Sequence, residues 1–127
     1  MMTMIDGGVT APQGFQAAGV AAGIRKKERP DVALVYSTVP AAAAAVYTTN
    51  KFKAAPLMVT EQNIANGQAQ AFVINSGIAN AGMGKVGMEQ AQQMSDWTAE
   101  ALGIAADDVV VASTGVIGMP LPMEKIH

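Results

Sequence analysis

The chain has no cysteine, and that absence removes disulfide frameworks, cysteine-ligated zinc and thiol catalysis together. Histidine is almost as scarce: the single one, His127, occupies the last position, which argues against an internal Ser-His-Asp arrangement. No His/Asp/Glu spacing fits a metal ligand set, so no metal is expected. Charge is sparse as well. Only 14% of residues are charged while 50% are hydrophobic, the reverse of a disordered composition. The formal net charge is −2, and the one basic cluster, Arg25-Lys26-Lys27, has no aromatic residues interleaved with it, so no nucleic-acid partner is expected. Glu28, Arg29, Pro30 and Asp31 follow directly, and the cluster reads as a solvated turn between two strands.

Long apolar runs are missing too. The uncharged stretch from Val32 to Asn50 is broken by Pro40, serine and threonines, and falls short of a membrane span of about 20 apolar residues. Met1 to Gly8 has neither the basic end and apolar run of a signal peptide nor the arginines of a transit peptide; a cytoplasmic chain is expected. Nucleotide signatures are lacking. There is no P-loop pattern, and Gly82-Met83-Gly84-Lys85-Val86-Gly87 follows a small-residue loop rather than a strand, the wrong setting for a dinucleotide turn.

What is present fits one compact domain, since 127 residues and 13.0 kDa match the commonest domain size. Phe15 to Ile24 mixes small and apolar residues after a Pro-Gln-Gly turn and reads as a strand. Asp31 to Val39 alternates Val32, Leu34, Tyr36 and Thr38 with Ala33, Val35 and Ser37, a clearer strand that Pro40 should end. Ala41 to Ala45 is too short for a stable helix and reads as a turn or short helical piece before a short strand, Val46 to Thr49. A further strand is expected over Ala55 to Thr60, with Pro56 near its start, then a short helix over Glu61 to Gly67.

Gln70 to Asn75 reads as a strand, and from about Val86 to Leu102 the period becomes helical. Ala91, Met94, Trp97 or Thr98, Ala101 and Leu102 fall on one face of that helix, and Gly103 supplies its stop. Its methionines and tryptophan are expected in the core. The charges of Asp107 and Asp108 belong to a loop before a buried strand running to Ala112. The class is α/β.

Two strand exits could carry chemistry, Asn75 to Gly82 and Ser113 to Gly118. Both place hydroxyls, amides and glycines at the end of an apolar run, where backbone N–H and side-chain O–H donors can be aimed at a ligand oxygen. Each could equally be a polar turn.

Six segments in order carry a resemblance. Gly8-Val9-Thr10-Ala11-Pro12-Gln13-Gly14-Phe15, Ala18-Gly19-Val20, Val46-Tyr47-Thr48-Thr49-Asn50, Ala54-Ala55-Pro56, Asn75-Ser76-Gly77-Ile78-Ala79-Asn80-Ala81, and Ser113-Thr114-Gly115-Val116-Ile117-Gly118 through Leu121-Pro122-Met123 resemble the N-terminal half of the ornithine acetyltransferases, the bifunctional glutamate N-acetyltransferases of cyclic arginine biosynthesis. The resemblance implies a layered αββα fold, of which this chain would be the N-terminal portion of an α chain. It implies acetyl transfer from N-acetylornithine to glutamate in ping-pong fashion, and acetyl-CoA as a donor in some members. No other cofactor is implied. The attacking group would be the N-terminal threonine of a β chain released by self-cleavage downstream of His127, giving a hetero-oligomer of α and β chains. Thr114 and Gly115 would form the oxyanion hole.

This chain departs from the pattern at Gly82-Met83, where relatives often read Cys-Thr, and at Ile78, where many have Asn. A structural role is therefore expected for Asn75 and Asn80. Alone, the chain is expected to be inactive. The opposing reading is a non-catalytic small-molecule-binding or interaction module on the same fold.

Overall fold

The computed structural model of the chain describes residues 2–26 and 28–127. Lys27 of the basic cluster lies outside them; Arg25 and Lys26 are exposed. Among the described residues four strands, β1 (Phe15–Val20), β2 (Val32–Ala42), β3 (Gln68–Ile78) and β4 (Val109–Val116), form one sheet in that order. Among the described residues three α-helices accompany it: α1 (Ala55–Asn63), α2 (Gly84–Leu102) and the short α3 (Met123–Ile126). β1, β2 and β3 pair antiparallel, and β3 pairs with β4 in parallel across the α2 crossover, since parallel neighbours need a long connection.

Side-chain alternation separates the two faces of the sheet. Ala71, Val73 and Asn75 of β3 stand beside Val109, Val111 and Ser113 of β4, and the apolar members join Val59, Ala91 and Met94 in one core under α1 and α2. Met94, Val59 and Val109 are fully buried, each contributing roughly 1.5–3 kcal/mol of apolar transfer energy. Phe72, Ile74, Ala112 and Thr114 point to the opposite face, where Phe72 is left exposed. The chain thus holds a helix layer and one sheet layer of the order that the resemblance implies.

Ala55 to Thr60 is helical rather than extended. Pro56 sits in the first turn of α1, where its missing N–H has no partner to lose. The face turned inward carries Ala55, Val59, Thr60 and Asn63, a helical spacing in which two polar residues are used for bonding. Thr60 Oγ1 donates to the Val111 carbonyl at 3.0 Å and accepts the Val111 N–H at 2.9 Å. Asn63 Nδ2 lies within bonding distance of Ser95 Oγ, the Ala106 carbonyl and the Val109 carbonyl, at 3.0, 3.0 and 2.9 Å. α1 therefore satisfies polar groups along the open edge of β4, which an uncovered edge strand would leave for another chain. The expected helix from Glu61 is the continuation of α1, closed by a 3₁₀ turn and by Gly67 at φ 77°.

Other boundaries moved for identifiable reasons. β1 stops at Val20 because the chain then bends around Asp31, whose carboxylate accepts the N–H groups of Ala22 and Arg25. Pro40 does not end β2: a register shift between Tyr36 and Ala41 absorbs it, and pairing resumes at Ala41 and Ala42. Val46 to Thr49 forms no strand and lies in an irregular segment between β2 and α1. On α2 the buried stripe is Gly87, Ala91, Met94, Ser95 and Ala99, and Ala101 is exposed. The stripe turns toward Ser95 because its hydroxyl donates to the Ala106 carbonyl and accepts from Asn63. α2 ends as expected at Gly103, φ 67°. No helix is long and apolar enough to cross a membrane among the described residues.

Candidate functional site

The two strand exits read separately in the sequence are one place in the structure. β3 continues through Ile78 and β4 through Val116, so that Asn75, Ser76, Gly77 and Ile78 lie directly beside Ser113, Thr114, Gly115 and Val116. Pairing carries on past the strand ends: the Ala79 N–H donates to the Val116 carbonyl at 2.8 Å, and the Gly118 N–H to Ala81 at 3.0 Å. Thr114 and Gly115 are both exposed. The alternation of β4 sends the Thr114 side chain to the sheet face opposite the helices, next to Ser76.

Gly115 needs to be glycine. Its φ is 134°, a backbone region open essentially to glycine alone, and a Cβ would overlap the carbonyl group of Gly77 on the neighbouring strand. Gly77 has a φ of 109° itself. Two glycines in register let the strand ends approach more closely than side chains would permit.

Both long helices point their N-terminal ends toward this exit. Asn63 of α1 bonds at Val109 and Thr60 bonds at Val111, so α1 runs antiparallel to β4 with Ala55 and Pro56 toward Ser113. Asn63 meets Ser95, and a Cβ on Gly87 would stand 3.5 Å from the Ala55 Cβ; α2 is therefore parallel to α1. Neither N-terminus has a side-chain cap or an acidic residue in its first turn. Each helix brings a fractional positive charge of about one half to its N-terminal end, which favours a negative oxygen there. The exit thus combines an exposed hydroxyl donor with a strand-end peptide of unusual conformation on one side of the sheet and two helix N-termini on the other.

Each asparagine makes one structural bond through Nδ2, while the buried Oδ1 of each has no partner among the described residues. Asn75 and Asn80 are fully buried; Asn75 Nδ2 donates to the Ile78 carbonyl at 3.0 Å, and Asn80 Nδ2 to Gly87 at 2.9 Å, tying the β3 exit to α2. Asp107 and Asp108 lie in a 3₁₀ turn before β4, at the far end of that strand from Thr114. His127 stands edge-on to Trp97, with ring centroids 4.5 Å apart. It lines a cleft of about 440 Å³ with Leu34, Val73 and Met94, on the helix side of the sheet and away from Thr114. Gly77 falls within the expected exit but has no role of its own in the sequence, and Asp31 falls outside both exits. The Asn-Ser-Gly triplet after an apolar strand was the only signal for Gly77, and Asp31 had none beyond its place before β2.

Comparison with known proteins gives a consistent result. Residues 16–127 match the ArgJ family. The arginine biosynthesis bifunctional protein ArgJ of Gloeobacter violaceus is 54% identical over 124 residues, covering 97% of this chain and 30% of that protein. The protein of the same name from Caldanaerobacter subterraneus is 51% identical over 125 residues, covering 98% and 31%. Among solved structures, the arginine biosynthesis bifunctional protein of Bacillus halodurans superimposes with a TM-score of 0.91 at 49% identity, over 94% of this chain and 63% of that one. Ornithine acetyltransferase from Mycobacterium tuberculosis, solved in complex with ornithine, gives 0.90 at 46% identity, over 94% and 65%. The chain spans about 30% of the length of the curated relatives it matches. By sequence over nearly its whole length, and by fold, this chain belongs to the ArgJ family.

Proposed function

We propose that the complete protein of which this chain is the N-terminal part transfers an acetyl group from N-acetylornithine to glutamate in arginine biosynthesis, in the cytoplasm. This chain supplies the oxyanion hole through the Thr114 hydroxyl and the Gly115 N–H. A threonine at the start of a β chain, released by self-cleavage downstream, supplies the nucleophile, so that α and β chains act as a hetero-oligomer and this part alone is inactive. Acetyl-CoA stands as an alternative donor to glutamate. The observation that carries the reading is exposed Thr114 beside Gly115 at φ 134°, at the paired exit of β3 and β4.

The chemistry follows from charge. The threonine oxygen attacks the acetyl carbonyl carbon of N-acetylornithine, the carbonyl oxygen becomes an alkoxide, and the threonine proton passes to a nearby base such as its own N-terminal amine. Thr114 and Gly115 donate to that alkoxide. The Gly115 N–H is fixed in the backbone of the strand end and needs no reorganisation as the charge develops, and donors that act on the alkoxide lower the barrier rather than tighten the ground state. Collapse breaks the C–N bond and releases ornithine after the nitrogen takes up a proton. The glutamate amine then attacks the acetyl-threonine ester through a second tetrahedral intermediate at the same hole, and the threonine leaves as the free hydroxyl.

The test is to incubate the purified, processed protein with N-acetylornithine alone and to follow the threonine-initiated chain by mass spectrometry. One acetyl group on that chain, discharged when glutamate is added, is the expected result. Ligand binding without acetylation would instead favour a non-catalytic module.

A further inference from the structure

Asp31 is a buried carboxylate remote in sequence from the oxyanion pair, and its contacts lead to it. The carboxylate closes the turn between β1 and β2: Oδ1 accepts the Ala22 N–H at 2.7 Å and Oδ2 the Arg25 N–H at 2.8 Å. Its own N–H donates to Val20, and its carbonyl accepts the Ser76 N–H at 2.7 Å, so the same residue is bonded to β3 one position before Gly77. Lys125 Nζ adds a bond to the Gly23 carbonyl at 2.8 Å. The turn is held from several sides.

That turn bears on Gly77. The space where a Gly77 side chain would stand is occupied by Ile24 and Arg25, and a Cβ there would lie 3.0 Å from Ile24 Cγ2 and 3.1 Å from Arg25 Cγ. On β4, the corresponding space of Gly115 is filled by the Gly77 carbonyl group and the Ile78 nitrogen. Turn, Gly77 and Gly115 are thus stacked in direct contact. The turn reaches Gly77 through the Ile24 and Arg25 side chains, and with no Cβ between the strands a shift of Gly77 passes directly to Gly115.

We propose that Asp31 is a positioning residue for the oxyanion hole: its carboxylate fixes the 22–25 turn, the turn fixes Gly77, and Gly77 sets where the Gly115 N–H points. The inference rests on the oxyanion reading of Thr114 and Gly115. Asn in place of Asp31 keeps the shape but turns an NH₂ toward one of the two N–H donors, replacing an accepted bond by a donor–donor contact.

The experiment compares Asp31→Asn, Ile24→Ala and Thr114→Ala with the parent in the complete processed enzyme, with turnover normalised to the processed threonine chain. A displacement of about 1 Å at a reacting geometry costs on the order of 100-fold, so Asp31→Asn is expected to lower kcat roughly 10- to 100-fold while KM is retained, because the hole acts on the transition state alone. Unchanged kcat, or a lower melting temperature with kcat intact, overturns the proposal. If Asp31→Asn does not fold, Ile24→Ala decides on the same terms, since it relieves the contact on Gly77 and leaves both carboxylate bonds in place. Loss in Thr114→Ala without loss in either positioning variant leaves the oxyanion reading standing and removes the role of Asp31. No loss in Thr114→Ala removes both.

Discussion

Replacing Gly115 by alanine probes the tightest feature of the site. The added Cβ falls within the Gly77 carbonyl group, whereas carbon contacts are most favourable at about 3.5–4.0 Å, so the strand ends must separate by about 1 Å or more. The obstacle is backbone in a neighbouring strand and cannot rotate away. The φ of 134° adds roughly 1–3 kcal/mol of strain for a residue with a side chain, and overpacking adds roughly 1–3 kcal/mol. Together these remain below the stability of many domains, so the complete protein should fold with a lowered melting temperature. Displacing the N–H by about 1 Å should cost about 100-fold in kcat, equivalent to about 2.7 kcal/mol. Steady-state kinetics on the processed enzyme, beside thermal melting, supplies both numbers. A Gly115→Ala enzyme with parental kcat and parental melting temperature would refute the argument that the strand ends are held in contact by paired glycines.

Two predictions concern the supporting structure. Asn63→Ala removes the amide shared by Ser95, Ala106 and Val109 and leaves buried acceptors short of a donor, so a loss of about 1–3 kcal/mol in urea unfolding is expected; a change below about 0.5 kcal/mol contradicts it. The Arg25 N–H lowers the Asp31 pKa from its ordinary value of 3.8; burial opposes that shift, and the Ala22, Ile24 and Gly23 N–H groups reinforce it. A carboxyl depressed in the folded state stabilises the fold above its unfolded pKa and loses that contribution as pH falls through the lowered value. The stability gap between parent and Asp31→Asn should therefore be full at neutral pH and close below about pH 4, and a gap independent of pH over that range contradicts the assignment.

The sequence was most legible where one physical signal dominated. Alternating β-branched residues marked β2, the helical period and Gly103 marked α2, and hydroxyls and glycines after a valine run marked the exit of β4. α1 was misread because Val59 and Thr60 resemble a strand locally, while its inward face uses Thr60 and Asn63 to bond β4, so polar residues stand where an apolar stripe is expected. That choice depends on groups about fifty residues away in the chain, among them the Thr60 to Val111 bonds. The meeting of the two exits was hidden for a related reason: register between β3 and β4 is set by the α2 crossover and by the Gly77–Gly115 pair, which no local pattern announces. The inward bend at Asp31 shortened β1 in the same way. The proposal of Thr114 and Gly115 rests on family resemblance together with their place at a strand end; Gly77 and Asp31 emerge only from the packing.

The central claim is that Thr114 donates to the developing alkoxide of acetyl transfer. It is tested most directly by Thr114→Ala in the complete processed enzyme, with kcat, KM and melting temperature measured side by side. Loss of one oxyanion donor typically costs about 100- to 1,000-fold, and because the exposed side chain contributes little to the core, kcat should fall by that order with KM and melting temperature near parental values. Near-normal turnover by the folded variant would contradict the account.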